Sequence, residues 1–345
     1  MPLSFDFRGF WFAAKLIVAV SLGVFLAKNI QYFVFLEGAG PDITAAMKPP
    51  ALTASLEKSG SGPVTLAFAG DIMLDRGVKK VILREGNGNF GFPFSKIEKR
   101  LRSYDLLFAN LEGPVSARGK DGGSVYSFRM AEETAEAIKN TGFDILSVAN
   151  NHIGDWGAEA VFDTLFYLKS AGLKYAGAGL SREEASGTQV LEIKNTRFAF
   201  LAFTDISGIY TEKPDEIFVS AADPPEIIKQ IQKAKSAADI IIVSFHFGEE
   251  YKAVPDERQK YLAYLAVDAG ADLVIGHHPH VVQPIEKYKE AHIAYSLGNF
   301  IFDQNFSEET MRGMLLEVQV ENKKITGVAP KNIVLNKDFQ PAIAD

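Results

Sequence analysis

Five of the six histidines in this 345-residue chain fall in three short motifs, and each motif follows an apolar run. The motifs are Gly276-His277-His278-Pro279-His280, Asn150-Asn151-His152 and the single His246. Histidine is a scarce residue and the commonest protein metal ligand. Such ligands gathered where strands are expected to end are typical of a metal site.

Two carboxylates stand in equivalent places. Asp71 follows the apolar run 64–69, and Glu112 follows the run 106–109. Open α/β sheets bind ligands beyond the carboxyl ends of their strands. Carboxylate, carboxamide and imidazole groups together suit Mn, Zn or Fe, and two such ions can polarise a phosphoryl group and activate water. Each motif alone has an ordinary structural explanation, such as a turn, a helix cap or a buried histidine, but their joint order favours a metal site.

The elements that must position these groups alternate between short apolar runs and longer helical patterns. Helices are expected at residues 131–140, 158–171, 225–238 and 257–269. Strands are expected at residues 64–69, 106–109, 145–149, 197–203, 240–245, 273–275 and 293–296. This order predicts an α/β fold. The tail 314–335 is expected to add antiparallel strands to the sheet.

Composition narrows the class of protein. A hydrophobic content of 47% with 23% charged residues predicts a folded core instead of disorder. The net charge of -7 argues against a nucleic-acid partner, which would need a basic face. The chain has no cysteine, so disulfides, thiolate nucleophiles and cysteine zinc sites are excluded. That absence also suits an oxidising compartment.

The N-terminal segment differs in kind from the rest of the chain. We expect residues 1–36 to be an uncleaved signal anchor, although their longest apolar stretch is shorter than the ~20 residues of a full span. Lys15 can snorkel toward the headgroups and so lengthen the span, and with Arg8 it favours a cytoplasmic N-terminus. A cleaved signal peptide is the close alternative. A buried soluble helix fits less well because residues 10–27 lack a polar face.

These features predict the domain organisation and the location of the protein. Residues 37–62 are expected to be a flexible tether rich in Gly, Pro and Ser. Residues 63–340 would form the folded domain. The chain is therefore expected in the cell membrane as a single-pass protein, with its soluble domain on the extracytoplasmic side.

Together the motifs resemble the calcineurin-like metallophosphoesterase superfamily, and within it the bacterial capsule synthesis proteins of the CapA/PgsA type. The strings that carry the resemblance are residues 69–74, 109–112, 127–129, 149–152, 246–251, 276–283 and 295–300. They span roughly residues 64 to 303. The resemblance implies a four-layer α/β/β/α sandwich preceded by an N-terminal membrane helix.

The resemblance also implies a metal centre with one or two divalent transition ions (Mn, Zn or Fe) as the cofactor. Its ligands would be Asp71, Glu112, Asn151, His246, His278 and His280. Glu112 would bridge the two ions, with Asp71 and His280 at the first. The other three ligands would complete the second.

Other residues receive roles outside the ligand set. By the same resemblance, His152 would act as general acid or transition-state stabiliser. Arg129 is a candidate contact for an anionic substrate, or the partner of a surface carboxylate. Asn299 is a candidate substrate contact or a support for the ligands. His277 is not required by the motif, and His292 is expected to be structural.

The chain departs from the phosphoesterase pattern at two ligand positions. Met73 stands where the pattern has a histidine, and a thioether is a poor ligand for these ions. Glu112 stands where aspartate is usual. These changes weaken the first metal site, so whether the protein is an enzyme stays open.

The resulting prediction is a membrane-anchored capsule synthesis protein that acts in making or exporting an anionic surface polymer, poly-γ-glutamate. The first alternative is an active metal-dependent phosphoesterase outside the membrane. The second alternative is a non-catalytic accessory subunit that works with membrane synthase subunits. An ordinary soluble phosphodiesterase conflicts with the N-terminal segment.

Overall fold

The computed structural model describes residues 60, 62–212 and 217–344. The predicted signal anchor, residues 1–36, lies outside these residues, as does the tether except for Gly60 and Gly62. Among the described helices, none combines the length and the apolar character needed to cross a membrane.

The described part of the chain alternates strands and helices in a mixed α/β order. Its strands are β1 (Val64–Ile72), β2 (Leu106–Leu111), β3 (Ile145–Ser147), β4 (Lys174–Ala176), β5 (Ala178–Gly179), β6 (Gln189–Ile193), β7 (Thr196–Thr204), β8 (Phe218–Val219), β9 (Ile240–His246), β10 (Leu273–His277), β11 (Ile285–Tyr288), β12 (Ala291–Ala294), β13 (Asn299–Ile301), β14 (Arg312–Glu321), β15 (Lys324–Leu335) and β16 (Pro341–Ile343). Its helices are α1 (Arg76–Arg84), α2 (Glu98–Leu101), α3 (Glu133–Thr141), α4 (Gly157–Ser170), α5 (Arg182–Ala185), α6 (Ile209–Glu212), α7 (Pro224–Ala234) and α8 (Glu257–Ala269).

The strands pair into two large sheets and one small one. The eight-stranded sheet has the order β16-β15-β14-β1-β2-β3-β4, with β13 pairing beside β1. The six-stranded sheet has the order β11-β12-β10-β9-β7-β6, and β5 pairs with β8. This mixture of strands and helices confirms the predicted α/β class. The predicted antiparallel tail strands are also confirmed, because β14 pairs antiparallel with β1 and β15 pairs antiparallel with β14.

Buried side chains form three large groups around these sheets. Leu66 and Phe68 of β1 pack between the two large sheets, against residues such as Phe200 of β7. Ala67 and Ala69 point to the opposite face, where helices α1, α3 and α4 cover the eight-stranded sheet. This division follows from the two-residue period of a strand. Helices α7 and α8 cover the outer face of the six-stranded sheet in the same way.

Local sequence explains where several helices begin and end. At the start of α8, the Asp256 side chain accepts from the Gln259 backbone and the Gln259 side chain accepts from the Asp256 backbone, which completes a capping box. Helix α3 stops at Gly142, whose φ of 114° is in the left-handed region that favours glycine. Helix α7 begins with two prolines but ends at Ala234, four residues before the predicted end. The chain turns there, and the Asp239 N–H donates to the carbonyl of Arg197 near the start of β7.

The sheet register brings the expected side chains to one edge. Strands β9 and β10 run parallel, and His246 is directly paired with His277 at their carboxyl ends. In the other large sheet, Asp71 is paired with Asn110 of β2 and with Asn299 of β13. The register of β1 shifts between Phe68 and Asp71, a bulge that locally re-aims the chain.

Candidate metal centre

Asp71 lies at the centre of the cluster and is fully buried. Its Oδ1 accepts a hydrogen bond from Asn110 Nδ2 at 2.9 Å, and its Oδ2 accepts one from the His278 backbone N–H at 3.4 Å. His277 Nδ1 is 3.1 Å from Asp71 Oδ1, and His280 Nδ1 is 3.5 Å from Asp71 Oδ2. Burial opposes ionisation, but these two histidines lower the pKa of Asp71 well below its usual value. The carboxyl is therefore ionised and ready to bind a cation.

Glu112 lies immediately after β2 and is also fully buried. Its Oε1 is 3.5 Å from His280 Nε2 and 3.9 Å from His152 Nε2. Burial raises the pKa of Glu112 well above its usual value; the charge of His280 opposes this and that of Asp71 adds to it. Burial therefore favours the neutral acid, and Glu112 needs a positive partner to become a carboxylate; a divalent ion is the strongest one available.

His246 at the end of β9 and Asn151 in the loop after β3 bring polar side-chain atoms together. His246 Nε2 is 2.8 Å from Asn151 Oδ1, and the ring centroids of His246 and His278 are 4.8 Å apart. Burial lowers the pKa of His246 well below its usual value. The imidazole is therefore neutral, which is the form that binds metal.

The loop after β10 presents His278 and His280 in an uncommon backbone conformation. Their φ angles are 96° and 57°, a region that residues other than glycine seldom adopt. Strain of this kind concentrates at functional sites. Burial lowers the pKa of His278 to about 3. Burial acts the same way on His280, but the charges of Glu112 and Asp71 outweigh it and raise the pKa of His280 to about 9.

Two groups of side chains have the spacing of ion ligands. Ligand atoms of Asp71, Glu112 and His246 lie within 4.8 Å of one another, and so do those of Glu250, His278 and His280. The His280–Glu112 contact joins the two groups. The sequence-based assignment placed His246 with His278 and placed His280 with Asp71. Both of these pairs are also close, at 4.8 Å between ring centroids and at 3.5 Å between Nδ1 and Oδ2, so the assignment of ligands to ions stays a prediction. The geometry also adds Glu250, which was not among the predicted ligands.

The polar atoms of the cluster fit a bound cation. Within the described part of the chain, Glu112 Oε1, His278 Nδ1 and His277 Nε2 are buried without a hydrogen-bond partner. Buried polar atoms are seldom left unsatisfied, and an absent ion is one explanation when they cluster. Imidazole and carboxylate donors together suit a divalent transition metal, and nothing in the donor set selects one metal.

His152 lies beside the cluster and is held by a carboxylate of its own. Its Nδ1 is 2.8 Å from Asp155 Oδ2, and the Phe128 ring packs against it at a centroid distance of 4.2 Å. Because a carboxylate only accepts hydrogen bonds, Nδ1 carries the proton in this pair. Nε2 then faces Glu112. Asp155 was not predicted, since an aspartate three residues after a histidine has no distinctive pattern.

Arg129 and Asn299, the predicted substrate contacts, have different surroundings. The Arg129 guanidinium lies 3.6 Å from the centre of the Trp156 ring and is partly exposed. Asn299 is fully buried, with its Oδ1 3.0 Å from His280 Nδ1 and its Nδ2 donating to the Thr310 carbonyl. Of its two predicted roles, these contacts favour support of His280.

Met73, His277 and His292 have different surroundings. Met73 is buried, and its sulfur accepts a hydrogen bond from the Asp75 backbone at 3.1 Å. His277 is buried against Asp71 and so belongs to the cluster, although the sequence motif gave it no role. His292 pairs with Leu273, at the end of β10 away from the cluster. A separate cavity of about 630 Å³, lined mainly by α5, α7 and residues 217–221, contains none of the cluster residues.

Comparisons with known proteins identify relatives of this chain. Residues 65–304 match the family described as "Bacterial capsule synthesis protein PGA_cap". The chain is 36% identical over 282 residues to "Capsule biosynthesis protein CapA" of Bacillus anthracis, across 78% of this chain and 67% of that protein. It is 37% identical over 248 residues to "PGA biosynthesis protein CapA" of Bacillus subtilis (strain 168), across 71% of this chain and 64% of that protein. The matched region thus spans about two thirds of these relatives.

A solved structure shares the fold at low sequence identity. The crystal structure of a hypothetical protein from Thermus thermophilus matches with a TM-score of 0.50 and 18% identity. The match covers 78% of this chain and 98% of that one. At this identity the likeness concerns the fold alone.

Proposed function

Because the chain belongs to the bacterial capsule synthesis protein family PGA_cap, we propose that it acts in the synthesis or export of an anionic surface polymer, poly-γ-glutamate. The observation that carries the proposal is the family match over residues 65–304, which includes every residue of the metal cluster. Two relatives named for capsule or PGA biosynthesis support the same role.

We further propose that the domain is a four-layer α/β/β/α sandwich of metallophosphoesterase type with a metal centre at the strand ends. The three groups of buried side chains between and outside the two large sheets support this architecture. The ligands would be Asp71, Glu112, Asn151, His246, His278 and His280, holding one or two ions of Mn, Zn or Fe. When bound, such ions polarise a phosphoryl group and activate water.

A rim of aromatic and basic side chains supports an anionic substrate, and one of its rings, that of Tyr251, lies 6.2 Å from the His280 ring. We define the rim as Arg76, Tyr126, Arg129, Tyr251 and Phe306. The Arg76 guanidinium lies 5.9 Å from the centre of the exposed Tyr126 ring, and Tyr251 packs edge-on against the exposed Phe306 ring. Arginine binds carboxylates and phosphates in a bidentate manner, and the rings offer apolar area for the methylene groups between charges. Both features suit a flexible polyanion.

The proposal also places the protein in the cell membrane, with residues 1–36 as a single-pass anchor and the domain outside. The apolar residues 10–27 and the basic residues before them support this placement. Expected partners are membrane synthase subunits and the polymer itself, with no nucleic acid. Protease added to intact cells is expected to cleave the domain, and protection of the domain in intact but not in lysed cells would refute the placement.

A second candidate function is hydrolysis of a phosphate ester by the same centre. The His152–Asp155 pair favours it, since the carboxylate fixes the ring so that Nε2 faces the cluster. A histidine held in this way can move a proton at that atom during bond cleavage. A metal-loaded assay on phosphomonoesters and phosphodiesters separates the candidates. Activity lost in His152→Ala but kept in His292→Ala supports the enzyme, whereas equal background in all three proteins supports an accessory role.

The capsule role is tested in a Bacillus subtilis strain that lacks its CapA relative and carries this chain. We expect surface poly-γ-glutamate to return with the unaltered chain and with His292→Ala, but not with His278→Ala. No polymer from a stably expressed chain would contradict the capsule function. A full amount of polymer with the His278→Ala variant would contradict only the role of the metal centre and would leave the capsule function standing.

A further inference from the structure

We propose that Glu250 is a further ligand of the metal centre and binds the same ion as His278 and His280. The inference rests on the metal centre proposed above and goes beyond its six predicted ligands. Ligand atoms of these three side chains lie within 4.8 Å of one another, the spacing expected around one ion. Glu250 is partly exposed while both histidines are buried, so this ion would lie at the solvent side of the cluster.

The backbone fixes Glu250 in this position. Residues 247–251 follow β9 and lie against the histidine loop that follows the neighbouring strand β10. The Phe247 N–H donates to the His277 carbonyl at 3.1 Å, and the Tyr251 N–H donates to the Pro279 carbonyl at 2.8 Å. Tyr251 itself has a φ of 64°, which turns the chain over the histidine loop. Two backbone hydrogen bonds therefore hold Glu250 beside the histidines from both sides.

The chemistry of the donors at this place suits a carboxylate ligand. His278 and His280 supply two nitrogens, and the His278 Nδ1 atom is buried without a hydrogen-bond partner among the described residues. Metal sites of this kind take three or more protein ligands. Met73 does not provide one, because its sulfur accepts from the Asp75 backbone and its side chain packs against Phe128 and Phe302. A carboxylate is a harder donor than the Met73 thioether, and it also balances the charge of the ion.

Glu250 has an alternative, purely structural partner in the Tyr251 hydroxyl. Burial and a hydrogen bond to Glu250 raise the pKa of Tyr251 above its usual range. If that bond were the only role of Glu250, removal of the Tyr251 hydroxyl would affect the site as strongly as removal of the carboxylate. The two roles are therefore separable by matched variants.

The experiment measures Mn²⁺ binding to the 345-residue chain in detergent, by electron paramagnetic resonance and by metal content, with circular dichroism to verify folding. We expect Glu250→Gln to weaken binding at one ion about 10-fold or more and to change the spectrum of the bound Mn²⁺. Glu249→Gln removes an equivalent charge from the adjacent exposed position, and Tyr251→Phe removes the hydroxyl; both should bind as the unaltered chain does.

The outcomes distinguish this inference from the proposal beneath it. Unaltered affinity and spectrum in Glu250→Gln, while the parent chain binds Mn²⁺, would overturn the role of Glu250 and leave the metal centre standing. Equal weakening in Glu250→Gln and Tyr251→Phe would overturn it too, because the effect would then pass through the tyrosine. If the parent chain binds no ion, the metal centre itself is refuted.

Discussion

Gly276 offers a sharp test of the site geometry because it has no room for a side chain. It is the residue of β10 directly before His277. A Cβ added there would lie 2.0 Å from the Tyr295 carbonyl oxygen and 2.7 Å from Cε1 of Phe247. Side-chain Cβ atoms are essentially never found closer than 3.0 Å to such neighbours. The variant Gly276→Ala must therefore displace backbone by at least about 1 Å.

The size of the expected effect follows from that displacement. Overpacking of this kind lowers the free energy of unfolding by about 1–3 kcal/mol. Functional ligands must be held to within about 0.5 Å of their working positions, and the shifted strand leads directly into His277, His278 and His280. We therefore expect Gly276→Ala to weaken metal binding about 10-fold or more, which corresponds to about 1.4 kcal/mol.

The assay combines urea unfolding of the metal-free chain with a Mn²⁺ titration of the folded chain. Gly327→Ala is the matched control, because the nearest atom to an added Cβ there is 3.7 Å away. That variant should keep both stability and affinity. Unchanged stability and unchanged Mn²⁺ affinity in Gly276→Ala would refute the close approach of β10 and Tyr295 on which the reasoning depends.

Three further predictions concern other parts of the domain. Asp155→Ala removes the side chain that accepts from the His152 ring, so urea unfolding should show a loss of about 1–3 kcal/mol; no loss would contradict a stabilising contact between these two side chains. Asp256→Ala removes the α8 cap and should cost about 1 kcal/mol without changing Mn²⁺ affinity. Burial opposes ionisation of Glu317, but hydrogen bonding to Arg100 outweighs it and lowers the pKa of that carboxyl below 4.5. The contribution of the Glu317 carboxylate to stability is then present above pH 4.5 and lost as pH falls through the lowered pKa. Glu317→Gln should therefore lower the free energy of unfolding by at most about 1 kcal/mol at neutral pH, and this loss should vanish in acid. A loss independent of pH would contradict this.

Helices α3, α4, α7 and α8 and the strands at the centre of the two large sheets were predictable because their apolar periodicity is strong. The short helices α1, α2, α5 and α6 and the strands β4, β5, β6, β8, β11 and β16 were not predicted. Helix α8 and the predicted range 257–269 coincide. Strands β14 and β15 form the expected tail, although β14 begins at Arg312, two residues before the predicted start. Strand β13 was not predicted, because its three residues are too few to show a period. Strand β12 ends at Ala294, two residues earlier than expected, and the pairing of β13 with β1 places Asn299 beside Asp71.

The predicted ligands have a sequence signal because their residue types are scarce and follow apolar runs. Glu250 and Asp155 have no such signal, since carboxylates are common in loops and both depend on contacts made by distant segments. His277 illustrates the same limit. The sequence motif needs no histidine at this position. Only the folded structure, in which β9 pairs with β10, shows that the His277 ring lies against Asp71.

The central claim is that the histidine and carboxylate cluster is a metal centre, and metal content tests it most directly. Elemental analysis of the purified 345-residue chain after addition and removal of excess Mn or Zn should find one or two bound ions per chain. His246→Ala and His278→Ala should lower that content, and His292→Ala should not. Absence of bound metal from the unaltered chain, or equal content in all four proteins, would contradict the account.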